Sequence, residues 1–156
     1  MKFDVVGFGA LNLDKLFKVN MIAKEEEEAS VTDFKMAGGG SAANTVVGLA
    51  RLKLETGFIG KVGSDTEGKF LLKELRKEGV NHNGITISEN GRSGTVMGFI
   101  DIKGDRALYV DPGVNDQLDF QEIDLEYTSN TKILHLSSFV AKQPFDAQKQ
   151  LMQINQ

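Results

Sequence analysis

Cysteine and tryptophan are both missing from the 156 residues, and there are only 2 prolines and 2 histidines. Without cysteine, disulfide frameworks, thiolate metal sites and cysteine nucleophiles are excluded. His82 and His135 are too few for a histidine-rich metal centre. Positive charge is not in excess either: Lys+Arg 18 against Asp+Glu 22 leaves a net charge of -4. No basic run marks a duplex-binding face, so nucleic acid is not expected as a partner. No apolar run approaches the ~18 residues of a membrane span, so no membrane association is expected. The first residues carry an acid, Asp4, and no signal-type apolar stretch, which predicts a cytoplasmic protein.

What is plentiful is glycine: 17 residues, a share well above the ~7% of ordinary chains. The glycines fall in short clusters instead of a repeat, which points to tight backbone sites. The length suits one domain with a substantial core. Residues 3–9 form an apolar run with Val5 and Val6 adjacent, as in a strand buried on both faces. Residues 11–20 alternate, with Leu11, Leu13, Phe17 and Val19 on one side. A second exposed strand, 30–36, returns from the solvated acidic run at 24–28. After Gly38-Gly39-Gly40, Ser41 is a candidate N-cap for a helix over 42–52. A strand over 56–62 follows, then a helix running from a Ser64-Asp65-Thr66-Glu67 capping box to Gly79. Residues 95–102 and 107–110 read as a hairpin, 132–137 as a buried strand, and 145–154 as a helix opened by Pro144. Alternating strands and helices predict an α/β fold with a parallel sheet. The segments 12–37 and 93–111 are expected to add a small β-lid.

Four places are weighed for chemistry. Gly7-Phe8-Gly9 opens like a dinucleotide fingerprint, but the sixth position is Asn12 and no helix follows, so that site is rejected. Asn12 and Asp14 share one face of an extended segment just past the first strand. A carboxamide and a carboxylate so placed can donate to and accept from vicinal hydroxyls; alone, the pair also fits a loop or Asx turn. Gly38-Gly39-Gly40-Ser41-Ala42-Ala43-Asn44 lets a ligand approach backbone at a helix N-terminus, with Asn44 one turn in. The same sequence also fits a tight loop with a helix cap, and no Gly-Lys-Ser/Thr makes it a P-loop. His135 reads as a satisfied core histidine, and Ser137 and Ser138 follow at the strand's ligand-binding end.

Together these residues resemble the ribokinase-like (PfkB) carbohydrate kinases. The resemblance is carried by Asn12-x-Asp14, by Gly39-Gly40-Ser41-Ala42-Ala43-Asn44-Thr45 leading into Gly48, and by Gly60-Lys61-Val62-Gly63-Ser64-Asp65-x-x-Gly68. Ser93-Gly94-Thr95 through Asp111-Pro112-Gly113-Val114-Asn115 extends it over essentially the whole chain.

The resemblance implies a ribokinase-like fold and transfer of the ATP γ-phosphoryl group, with Mg²⁺, to a hydroxymethyl of a sugar, sugar phosphate or nucleoside. By position, Asn12 and Asp14 would bind sugar hydroxyls, Gly39 and Gly40 would line the sugar with backbone, and Asn44 would donate from the helix. Ser41 stands where ribokinases proper often carry Lys, and Ser137 where some members place a substrate-contacting Glu. The lid, through Val96 and Val110, would cover the sugar and pair two subunits into a homodimer. The family's Gly-Ala-Gly-Asp catalytic base and its Asn-x-x-Glu motif are absent from this sequence. The expectation is therefore that residues 1–156 are the N-terminal portion of a kinase domain, with the catalytic base and most of the ATP site elsewhere, and inactive alone. An adenosine-type nucleoside kinase and a non-catalytic sugar-binding module are the alternatives.

Overall fold

Adjacent Val5 and Val6 lie on opposite faces of β1 (Phe3–Phe8), each buried in a different apolar cluster. Both are sealed because β1 is a central strand. It pairs in parallel with β4 (Thr56–Gly63) on one side and β8 (Thr131–Leu136) on the other, and β5 (Asn81–Ser88) extends the sheet beyond β4. The structure, a computed structural model, describes residues 2–137, 139 and 141–154. On one face, α1 (Ser41–Arg51) and α2 (Thr66–Lys77) bury Ala42, Ala43, Val46, Leu71 and Leu75 against Val5, Phe58 and Val62. On the other, α4 (Lys142–Ile154) and the loops carrying Leu118 and Ile123 cover Phe3, Val6, Phe8 and Ile59. The fold is α/β, a parallel sheet flanked by helices. Among the described residues, no helix is long and apolar enough to cross a membrane.

A second sheet has the order β3-β2-β6-β7. It is built from β2 (Asn12–Val19), β3 (Val31–Gly39), β6 (Gly94–Ile100) and β7 (Arg106–Asp111). Strand β2 is antiparallel to β3 and parallel to β6, while β6 and β7 form a hairpin. Side chains alternate, so each face is distinct. One face carries Leu13, which joins the core beside Leu71, then Lys15, whose ammonium donates to Glu67 of α2 at 2.9 Å. Farther along, Phe17 stacks between Phe34 and Phe99, with centroids 4.8 and 5.1 Å apart. The other face carries Asn12 and Asp14.

Both helix starts differ from the sequence reading. The N-cap of α1 is Gly40 at φ 112°, and Ser41 is already helical. The N-cap of α2 is Asp65, one residue past the expected Ser64. Its carboxylate accepts from Gly68 N at 2.8 Å and from both the N–H (2.8 Å) and the hydroxyl (2.6 Å) of Ser93. Burial raises the Asp65 pKa, but these donors outweigh it and hold the carboxyl below its usual range. A carboxylate that must also secure the loop before β6 therefore wins the cap from a serine. His135, expected to be satisfied, has its Nε2 buried with no hydrogen-bond partner.

Strand β5 was not foreseen, because Asn81, His82, Asn83 and Gly84 interrupt its alternation. The pairing itself is interrupted there: Gly57 faces Asn81, yet Ile59 faces Gly84. Tyr127, from the short α3 (Leu125–Ser129), fills the gap. Its hydroxyl accepts from Phe58 N at 3.2 Å and lies 2.9 Å from the Asn81 carbonyl. A side chain at Gly57 or Gly84 would strike the tyrosine ring. Tyr127→Phe leaves the Phe58 N–H without its acceptor and should cost about 1–3 kcal/mol in urea unfolding. Burial, its largest influence, pushes the Tyr127 pKa up to about 12. The folded chain thus holds this proton after the unfolded chain has lost it. The contribution of Tyr127 to stability is complete below pH 10 and is lost as pH rises toward about 12.

Candidate functional site

The candidate site residues Asn12, Asp14, Gly39 and Gly40 lie where β1 ends, at the carboxyl edge of the parallel sheet, where α/β folds bind ligands. Beyond Gly9 the chain turns and opens β2 with Asn12. Asn12 and Asp14 are two residues apart in β2 and project from the same face. Their register neighbours on that face are Gly39 and Ala37 of β3, then Gly94 and Val96 of β6, with Val110 of β7 opposite Val96. Val110 is 54% exposed, so this face is uncovered.

Gly39 matters by having no side chain. A Cβ there would fall on the carboxylate of Asp14. The carboxylate therefore lies flat over the Gly39 backbone, half-buried, and has no hydrogen-bonding or ionic partner among the described residues. Desolvation raises its pKa above the ordinary 3.8. Gly40 turns the backbone into α1, with its α-carbon packed against the Ala10 carbonyl. The Asn44 N–H donates to Gly40 O at 2.9 Å.

Ser137, at the end of β8, reaches the same helix start. Its Oγ accepts from Ala42 N at 3.3 Å, and it sits where a Gly9 side chain would be. Gln148 of α4 holds it from behind by donating to Ser137 O at 2.8 Å and Phe8 O at 3.2 Å. Ser138 lies outside the described residues. Asn12, Asp14 and Gly39 thus form one cluster, and Gly40, Ser137 and the α1 start an adjoining one. Ser41 is exposed. Asn44 is set apart: it lines a groove of about 390 Å³ between α1 and α2 with Leu11, Gly38, Val47 and Leu71. Asn12 and Asp14 are not among the walls of that groove.

One polar residue with no role in the sequence reading is central to this geometry. Asn115 is 1% exposed and holds both the backbone of Leu11 and the side chain of Asn12. Its sequence signal is its place at the end of the Asp111-Pro112-Gly113-Val114-Asn115 motif.

A half-buried carboxylate without a partner, beside a carboxamide and a side-chain-free backbone, suits a polyhydroxylated ligand. The sequence matches the description "pfkB family carbohydrate kinase" over residues 2–155. The chain belongs to the pfkB family of carbohydrate kinases. This pfkB chain is 48% identical over 101 residues to an uncharacterised sugar kinase of Archaeoglobus fulgidus, covering 65% of this chain and 40% of that one. It is 34% identical over 134 residues to an ATP-dependent ribose-1-phosphate kinase of Halopiger xanaduensis, covering 86% and 45%. The fold matches a fructokinase from Xylella fastidiosa with a TM-score of 0.81 at 23% identity, over 98% of this chain and 47% of that one. The chain thus spans less than half the length of these relatives.

Among the described residues, no group of three or more His, Asp or Glu side chains is placed to hold a metal ion. No residue of this pfkB chain is therefore assigned to Mg²⁺ or to the nucleotide phosphates.

Proposed function

We propose that these residues form the acceptor-binding part of an ATP-dependent phosphotransferase acting on a hydroxymethyl group of a sugar or sugar phosphate. The observation that carries this reading is the partnerless carboxylate of Asp14 lying over Gly39 beside Asn12. An ionised carboxylate only accepts hydrogen bonds, so it selects hydroxyl donors. Gly39 and Gly40 let the sugar ring approach the backbone, Ser41 and Ser137 border the same helix start, and Asn44 lines the groove beside it. The second sheet acts as a lid, with Val96 and Val110 over the ring. Excluding water and fixing the acceptor are what phosphoryl transfer requires of this half. Neither the catalytic base nor the nucleotide site is assigned to any of these residues.

Calorimetric titration with D-ribose, D-ribose 1-phosphate, D-fructose and adenosine tests the reading. Binding of a sugar or sugar phosphate supports it; binding of adenosine alone would move the assignment to a nucleoside acceptor, and binding of none would refute it. Incubation of the chain with Mg²⁺, ATP and the bound sugar should give no phosphorylated product; turnover would overturn the division of labour.

The homodimer belongs to the same proposal. Phe34 and Met36 on β3 and Met97 and Tyr109 on β6 and β7 expose apolar surface on one face of the second sheet, with Tyr109 61% exposed. A second copy covers it. Sedimentation should give a dimer, and Phe34→Asp should give a monomer with the fold intact.

A further inference from the structure

We infer that Asn115 is a positioning residue that fixes the hydrogen-bonding polarity of Asn12, turning its NH₂ toward the acceptor site and its carbonyl oxygen away. The inference rests on the reading of Asn12 as a sugar-binding residue, but its geometry stands independently.

A side-chain amide has two chemically opposite ends, and its neighbours decide which faces where. For Asn115 the decision is made by backbone. Its Oδ1 accepts from Leu11 N at 3.0 Å, and its Nδ2 faces Leu11 O at 3.1 Å and Pro112 O at 3.0 Å. The reverse orientation would set an NH₂ against the Leu11 N–H and an oxygen against two carbonyls. Its two protons serve three oxygens, so one proton is shared, and the NH₂ is a donor toward the third of them, Asn12 Oδ1, at 2.9 Å. Asn12 must then present Nδ2, with both protons, in the other direction. That nitrogen has no partner among the described residues and is not sealed from solvent.

Gly94 shows that this contact shapes the fold. A Cβ on Gly94 would collide with both Asn115 Nδ2 and Asn12 Oδ1, so the bond passes directly over its α-carbon. Three separate stretches of chain, at residues 11–12, 94 and 112–115, are thus arranged around one amide pair. The consequence for specificity is a donor at Asn12 next to an acceptor at Asp14. A hydroxyl shared between or placed beside them gives its single proton to Asp14 and takes one from Asn12. An acceptor at both positions would leave one lone pair facing another.

Nuclear magnetic resonance of the uniformly labelled full chain gives the direct test. A coupling through the hydrogen bond between Asn115 Nδ2 and Asn12 Cγ is expected; its absence would overturn the inference. This measurement needs no ligand, so it stands even if no sugar binds and the sugar-site reading fails. Binding gives the second test, with D-ribose 1-phosphate and D-fructose as probes. Asn12→Asp keeps an acceptor for Asn115 but offers the site an oxygen, so binding should weaken about tenfold or more, and the second carboxylate beside Asp14 should lower the melting temperature at pH 7. Asn115→Asp removes the donor, releases Asn12 to flip, and should weaken binding by a similar factor. Asn12→Asp binding as tightly as the parent would refute the donor assignment, even if Asn115→Asp fails to fold.

Discussion

Gly40→Ala should destabilise the chain by about 3 kcal/mol or more, a large part of the ~5–15 kcal/mol typical of a domain. Two costs combine. At φ 112° and ψ 133° the backbone occupies a region that residues with a Cβ avoid. The added methyl would also meet the Ala10 carbonyl, a backbone atom that cannot swing aside. Relief would require moving either the β1–β2 connection or the start of α1, and both carry site residues. Urea unfolding should show the midpoint fall with little change in slope. Sugar binding, measured under conditions where the variant remains folded, should also fall, because Gly40 sets the angle between β3 and α1. A loss below about 1 kcal/mol would show that the turn accommodates a side chain. Gly104, also at positive φ but with open space around its α-carbon, is the control: alanine there incurs the conformational cost without the collision.

Asp14→Asn should move stability and binding in opposite directions. In the folded chain desolvation raises the Asp14 pKa above 3.8. The folded state therefore binds this proton more tightly than the unfolded state does. The sign follows from linkage: the contribution of Asp14 to stability is greatest below pH 3.8, falls as pH rises through the raised pKa, and stays reduced at neutrality. The neutral isostere removes that burden, so its melting temperature at pH 7 should rise. Sugar binding should weaken by about a hundredfold, because hydrogen bonds to a charged acceptor are each worth ~1.5–3 kcal/mol. In the parent, binding should weaken on acidification at a pH higher than that of an ordinary aspartate. A stability loss in Asp14→Asn would instead show that the carboxylate holds the second sheet together.

The sequence revealed most where one residue type serves one purpose. Val5 beside Val6 announced a central strand, and Gly38-Gly39-Gly40 before a helical period announced the turn into α1. Asn12 and Asp14 were legible because strand periodicity alone puts them on one face. Long-range contacts were hidden. Nothing near Ser64 and Asp65 says that Ser93, far along the chain, will settle which of them caps α2. Strand β5 was obscured because part of its pairing is supplied by the Tyr127 hydroxyl, from a helix of five residues. Asn115 was visible as a motif position, but its hold on Asn12 depends on Leu11, Gly94 and Pro112 meeting in space.

Strand β2 does two jobs at once. Its even-numbered residues Asn12 and Asp14 face the proposed sugar, while its odd-numbered Leu13 and Lys15 anchor to α2. The two functions are separated only by parity. Inserting a single residue between Gly9 and Asn12 would exchange them, turning Leu13 toward the ligand and Asp14 into the core. The connection from Val19 to Val31 closes the β2–β3 pairing at its far end, through an exposed acidic turn. Added length there changes no parity in β2 and costs only loop entropy. Insertions at the two ends of β2 should therefore have opposite fates: tolerated at 24–28, and destructive of both core and ligand recognition at 10–11.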